Sequence, residues 1–404
     1  MSNVSHEADR EEIVALTQRL VRIPSQYIEG DLVQHADIAA DLAAYMRESG
    51  LDVRIEEPLP DYPVVIGSTG PANGGPIIGV IGHYSTVAIG DTAEWKRDPL
   101  GGEIEDGRLY GRGSTDQKGG IAAVLVAARN LARSGTELKG QLKLLMVPGE
   151  GCTEMALEPV VAQTPDALRC DVYLDSDGGP GRISLVHGGW IWLELTVSGK
   201  GGHSGALTSD GDVPVNPIHK LVKVLARLQD VDWLHGEHHP LFGPENGRYS
   251  RDPIVDINVL RAGSKVNIIP NEARAQVDLR MLPAQTIASS LGDLDRVLDE
   301  LRAQDPDLRV EYRVLNRSKN PHEVTPDHPI IAAIQETCRE LGEPEPVLSG
   351  SFGGGRAALA EMGPVLHFGA GGGSGAHAPD EYALIDRLVV GSQLHERLYE
   401  RLLT

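Results

Sequence analysis

The sequence predicts an α/β protein, a mixed and mostly parallel sheet flanked by helices, with a second, ferredoxin-like α+β domain inserted into it. Three observations carry this expectation. Short β-branched apolar runs alternate with segments of helical period over roughly the first 180 residues, the pattern of a sheet layered between helices. The run at residues 77–81 is almost continuously apolar, as in a strand buried on both faces. From residue 187 onward the strands alternate polar with apolar positions and follow the order β-α-β-β-α-β of the split βαβ unit. The expected parts are residues 1–186 and 318–404 for the main domain and 187–317 for the insert. A length of 404 residues already calls for more than one core.

In chain order, Ile13, Leu16, Leu20 and Val21 recur at helical spacing until Pro24 stops the pattern. An amphipathic helix is expected over 33–49, with Gly50 past its end, and strands at 52–56 and 64–66. The 77–81 strand delivers His83 at its carboxyl end, where open α/β sheets collect ligands. Asp116 sits in a glycine-dense loop ahead of a helix at 120–133, and strands at 141–147 and 170–174 lead to Glu150 and Asp177. The insert reads as strands at 190–198, 254–260, 273–282 and 308–315, with helices at 217–228 and 287–301. The main domain resumes with a helix at 329–341, a strand at 365–368 and a last helix at 384–403. The glycine runs Gly353 to Gly355 and Gly371 to Gly373 are too short for linkers and read as tight loops near a ligand.

A formal net charge of −21 excludes nucleic acid and anionic membrane surfaces as partners. The cysteines, Cys152, Cys170 and Cys338, are odd in number and far apart, which speaks against a disulfide framework and for a reduced, cytoplasmic setting. Residues 1–30 carry Glu7, Asp9, Glu11 and Glu12 and no long apolar core, and no apolar run approaches the roughly 20 residues of a membrane span. Neither a signal peptide nor a membrane anchor is expected.

His83, Asp116, Glu150 and Asp177 all fall at strand ends, and one imidazole among carboxylates suits zinc, manganese or cobalt. A plainer reading of the first two bonds His83 to a nearby carbonyl and lets Asp116 cap the helix that follows. The cluster His235, His238 and His239 lies in a Pro- and Gly-bounded loop and reads as a loop, not a metal box.

The phrases GHYSTV, WKRDPLGGEIEDGRLYGRGSTDQKGG, the loop around Glu150, Asp177, GKGGHSG, KVNIIPNEA with DLR, and AHAPDEY resemble one pattern, in order, over nearly the whole chain. It is that of the co-catalytic zinc amidohydrolases that include aminoacylase, acetylornithine deacetylase, succinyl-diaminopimelate desuccinylase and carboxypeptidase G. The resemblance implies hydrolysis of a C–N bond in a small carboxylate-bearing molecule such as an N-acyl amino acid or dipeptide. It puts the ligand shared by two metals on Asp116, further ligands of one metal on His83 and Asp177, and a ligand of the other on His377. Glu150 falls on the base that takes a proton from activated water. His203 falls on a lid histidine that stabilises the oxyanion in the partner subunit's site, which implies a homodimer or higher homo-oligomer paired through the insert. Asn267 and Arg280 fall on groups that hold the substrate's carboxylate; read without the pattern, His203 is a loop residue and Arg280 a solvated strand position.

Three departures shape the expected site. Ser85 stands where the pattern has an acid behind the metal-binding His, Gly151 where it has a metal-ligating Glu, and Arg356 where GGGR replaces GGTD. Losing the Gly151 ligand leaves the second site with Asp116 and His377, so one divalent metal per subunit is expected. A one-residue slip would instead make Glu150 the ligand, with Cys152 or Glu154 left to fill the gap. Gly354, Gly355 and Arg356 are candidate substrate contacts, since a guanidinium can grip a carboxylate bidentately. The altered pocket leaves open a one-metal aminohydrolase that replaces an aryl amine by hydroxyl, as in 5-nitroanthranilate aminohydrolase. A non-catalytic binding protein with a decayed site is a further alternative.

Overall fold

Ile78, Val80 and Ile81 are buried because their strand is covered on both faces, Ile81 packing with Leu157, Val160 and Leu359 while Gly82 lies against Ile121 of the facing helix. A computed structural model of the chain describes residues 3–28, 30–149, 153–207, 211–233, 238–243, 254–315, 318–352 and 356–404. It divides into two compact units, one of Met1–Leu185, Val324–Leu348 and Arg356–Thr404, the other of Val186–Glu323 and Ser349–Gly355.

The first unit is built on a mixed sheet. Strand Ile77–His83 lies between Gln141–Val147 and Val172–Asp175 and runs parallel to both. Val365–His367 adds a fourth parallel strand, with Ser184 of the next strand opposite His367 in antiparallel register. Antiparallel strands Val64–Thr69 and Asp52–Glu56 finish the other side. Helix Gly119–Arg133 covers one face and is almost wholly buried, as its run of Ile121, Val124, Leu125 and Leu131 requires. Helix Ile385–Leu403 packs beside it and meets the loop after strand Val365–His367 so closely at Gly391 that a Cβ there would lie 2.0 Å from the Ala370 carbonyl oxygen. On the opposite face Ala156, Leu157 and Val160 of helix Thr153–Gln163 fill the core, and truncating a side chain such as Leu157 to Ala would cost about 2–5 kcal/mol. The sequence reading names no helix between the strands at 141–147 and 170–174; the helix found there contains Pro159, which supplies no backbone N–H.

Register puts the functional ends together. His83 pairs with Val147, and Ile81, Asp175 and His367 lie side by side across three parallel strands. A second, small sheet holds Ile104–Glu105, Arg108–Tyr110, Tyr382–Leu384 and Gly373–Ser374, with Tyr110 opposite Tyr382. Its strands are only two or three residues long, too short to show any period in the sequence, yet they fasten the chain just before Asp116 to the chain around His377.

The second unit has an antiparallel sheet in the spatial order Ile254–Ala262, Glu272–Met281, Gly189–Ser198, Arg309–Val314. Helices Pro217–Gln229 and Ile287–Gln304 pack through Leu221, Val224, Leu294 and Leu298 against Ile191, Leu195, Val277 and Leu279. This is the ferredoxin-like arrangement, in which each strand pairs antiparallel with its neighbours. Among the described residues no helix is long and apolar enough to cross a membrane.

Candidate metal centre

Asp116 lies between two imidazoles. Its Oδ1 is 3.0 Å from His83 Nε2 and its Oδ2 is 3.0 Å from His377 Nε2. Asp177 completes the group: one ligand atom from each of His83, Asp116 and Asp177 lies within 4.8 Å of the others. His83 and Asp177 come from the carboxyl edge of the parallel sheet, Asp116 from the turn before helix Gly119–Arg133, and His377 from a loop where its own φ is +65°. Few non-glycine residues adopt that conformation unless their surroundings impose it, and such positions cluster at functional sites.

The two carboxyl groups are shifted in opposite directions. Burial alone would raise the Asp116 carboxyl, but hydrogen bonds from His377 and His83 hold it well below the ordinary carboxylate range. Burial and then the charge of Asp116 push the Asp177 carboxyl upward. Two half-buried carboxylates faced by a buried imidazole make a donor set that a divalent transition metal fits: one nitrogen and two oxygens.

Behind these ligands is a frame of hydrogen bonds. His83 Nδ1 lies 3.1 Å from the Ser85 carbonyl oxygen, which leaves Nε2 to face the site in the neutral tautomer. The carbonyl contact that the plainer sequence reading expects of His83 is present and is compatible with Nε2 serving a metal, whereas Asp116 does not cap the helix, whose N-cap is Lys118 without a side-chain cap bond. Ser85 Oγ accepts the Gly149 N–H at 2.5 Å, so the side chain at the acid's position secures the loop before Glu150 rather than the imidazole. The Gly149 backbone presses on His83 so closely that a Cβ would lie 2.3 Å from Nδ1. Gln117 Oε1 accepts the His83 main-chain N–H at 2.9 Å. Lys118 is fully enclosed, donates to the Ile23 carbonyl at 2.9 Å, and is lowered to about 7 by burial.

Sequence reasoning missed Glu381. Its buried carboxylate accepts the main-chain N–H groups of Gly113 at 3.0 Å and of Thr115 and Asp116 at 3.1 Å, and an Arg112 Nη1 hydrogen at 2.7 Å. Arg112 also donates to the Ala378 carbonyl at 3.2 Å and stacks over Trp95. The signal was the acid four residues after His377, which the phrase AHAPDEY contains but whose partners only the fold reveals.

Glu150, Gly151, Cys152, Gly354 and Gly355 lie outside the described residues, as does His235. Glu154 is buried and its Oε2 accepts the Ala358 N–H at 3.0 Å. Arg356 Nε lies 2.8 Å from Asp175 Oδ2. In the second unit, His203 is exposed on a short strand opposite Ile268 and its Nδ1 accepts the Gly205 N–H at 3.2 Å. Asn267 is brought beside it, its carbonyl accepting the Ser204 N–H at 3.2 Å and its Oδ1 buried without a partner among the described residues. Arg280 is held by Asp278 Oδ2 through Nε at 3.0 Å and Nη2 at 2.8 Å, and by the Phe352 carbonyl through Nη1 at 3.2 Å. His239 Nε2 lies 3.1 Å from Glu323 Oε2, an ordinary surface pairing.

Residues 79–401 match the sequence signature described as Peptidase family M20/M25/M40. A succinyl-diaminopimelate desuccinylase from Paracoccus denitrificans is 27% identical over 343 residues, spanning 82% of this chain and 84% of that protein. An N-formyl-4-amino-5-aminomethyl-2-methylpyrimidine deformylase from Bacillus subtilis is 25% identical, spanning 95% of this chain and 92% of that protein. Among solved structures, a tripeptidase from Staphylococcus aureus superposes with a TM-score of 0.76 at 18% identity, covering 97% of this chain and 98% of the other. A dinuclear metal-binding M20 peptidase from Bacillus subtilis superposes with a TM-score of 0.72 at 17% identity, covering 98% and 99%. At these identities the structures speak for the shared fold.

Proposed function

The chain belongs to peptidase family M20/M25/M40, whose members are metal-dependent hydrolases of amide bonds, and on that premise we propose that it cleaves the N-acyl amide of a small carboxylate-bearing molecule. The observation that carries the reading is the placement of Asp116 between His83 and His377 with Asp177 beside it. His83, Asp116 and Asp177 would hold a zinc, manganese or cobalt ion, which when bound polarises the scissile carbonyl and acidifies water.

The chain's own groups have the remaining tasks. Glu150 is the proposed general base: it takes the proton of the attacking water and passes it to the leaving nitrogen, so that C–O forms as C–N breaks. His203 is the proposed donor to the developing oxyanion, in a homo-oligomer that brings it to a partner's site. Asn267 and Arg280 are proposed to take the substrate's carboxylate through the side-chain NH₂ of the one and the guanidinium of the other, with Gly354 and Gly355 as further contacts; Arg356, the remaining candidate, is buried against Asp175 instead.

One firmly held ion per subunit is proposed. Among the described residues the three-ligand group is His83, Asp116 and Asp177, and Glu154, the described candidate for a replacement ligand, is bonded to Ala358. The test is hydrolysis of a panel of N-succinyl, N-formyl and N-acetyl amino acids and dipeptides before and after chelation. Turnover that needs the ion and falls when the substrate's carboxylate is amidated is the expected result; full turnover by the chelated protein overturns the reading.

A further inference from the structure

We propose that Asp175 is a positioning residue for the metal centre, acting on Asp177 from beneath while Arg356 and His367 fix its carboxylate. Asp175 ends strand Val172–Asp175 and is fully buried, flanked in register by Ile81 and His367. Its Oδ1 accepts the main-chain N–H of Asp177 at 3.2 Å. Its Oδ2 lies 2.8 Å from Arg356 Nε and 3.3 Å from His367 Nε2.

The segment from Asp175 to Gly178 is clamped on both sides. Ser176 donates its N–H and its hydroxyl to the Ile81 carbonyl at 2.9 and 2.8 Å. The carbonyls of Asp175, Ser176 and Gly178 accept N–H groups of Phe368, Ala370 and Gly371 at 3.0, 3.1 and 2.9 Å. A Cβ at Gly369 would lie 2.2 Å from Gly178, so the two segments touch backbone to backbone. Within this clamp the side-chain tether that reaches Asp177 itself is Asp175 Oδ1.

Arg356 is what makes that tether affordable in a dry place. A buried carboxylate is costly unless a cation faces it, and Arg356, only 5% exposed, supplies the charge. Its Nε is close to Oδ2 without being aligned as a hydrogen bond, and its Nη2 is buried without a partner among the described residues, so the pair with Asp175 is its main engagement. An acid at residue 356 would put two like charges against each other here, which accounts for arginine at this position of GGGR. The proposal rests on Asp177 being a metal ligand.

Its test uses the metal-free protein titrated with Co²⁺, read by visible absorption, with thermal unfolding recorded alongside. Asp175→Leu and Arg356→Met, made singly, are expected to lower the unfolding temperature, and each double variant is expected to recover it, because each removes both charges. The two doubles then separate the roles. Asp175→Asn/Arg356→Met keeps an oxygen for the Asp177 N–H and is expected to bind Co²⁺ near the wild-type affinity. Asp175→Leu/Arg356→Met loses that oxygen and is expected to bind about 10- to 100-fold more weakly at equal stability. Equal Co²⁺ affinity in the two doubles would overturn the proposal and leave the pair a packing element. Unchanged binding in Asp177→Asn would overturn the metal-site reading itself, and the proposal with it.

Discussion

The main-chain N–H of Asp116 donates to Glu381 Oε1 at 3.1 Å, so the residue between the two imidazoles is held in place by a carboxylate from the loop that carries one of them. Glu381 Oε2 meanwhile takes Gly113 and Arg112, and Arg112 returns to Ala378 beside His377. One buried acid therefore joins both ligand loops.

Glu381→Gln is expected to disorganise the centre, since an amide NH₂ would face N–H donors that now meet an oxygen. Leaving such buried donors unsatisfied costs on the order of 2 kcal/mol or more, and Co²⁺ affinity and kcat should both fall at least about tenfold. Metal titration and steady-state kinetics on the folded variant check this; wild-type values for both would deny Glu381 the role.

Ser85→Ala should separate the two quantities. The imidazole of His83 rests on the main-chain carbonyl of residue 85, which alanine keeps, whereas the hydroxyl that holds Gly149 is lost. The expectation is a metal affinity within about threefold of wild type and a kcat lowered about fivefold, because the loop leading to Glu150 loses an anchor worth about 1 kcal/mol. A variant that loses metal and keeps kcat when saturated would reverse the assignment.

How far the sequence led, and where it stopped, can be traced through these same residues. Strand periodicity located His83 and the parallel sheet around it, because a continuous apolar run needs cover on both faces. The order of His83, Asp116, Asp177 and His377 along a recognised pattern singled these four out, and the fold brings them together. Glu381 and the Asp175–Arg356 pair were out of reach, since contacts across 265 or more than 150 residues leave no local period. Helix Thr153–Gln163 went unread as well; it contains Pro159, and tertiary packing through Ala156, Leu157 and Val160 sustains it.

Acid should weaken the fold through His395. This imidazole is fully buried between Tyr399 Oη and the Phe368 carbonyl, each 3.1 Å away, and burial lowers it to about 4 from 6.5. The unfolded chain thus binds a proton at a pH where the folded protein does not, so stability is full above 6.5 and declines as the pH falls towards about 4. The contribution is on the order of 3 kcal/mol, and thermal unfolding measured over that range should show the decline in the wild type and a flatter profile in His395→Gln. Parallel profiles would place the acid sensitivity elsewhere.

If His203 serves a neighbouring subunit, inactive His203→Ala and inactive Glu150→Ala chains should complement each other when mixed and allowed to exchange. Recovery of about a quarter of the activity is expected for random dimers that contain one intact site. Absence of recovery after proven exchange would put His203 to work within its own chain or outside catalysis.

The centre itself is tested most directly by adding zinc or cobalt stepwise to chelated protein and following bound metal and amide hydrolysis together. The account predicts that both saturate at one equivalent per subunit and that His83→Ala abolishes both. Saturation at two tightly held equivalents, or hydrolysis that persists in His83→Ala, would contradict it.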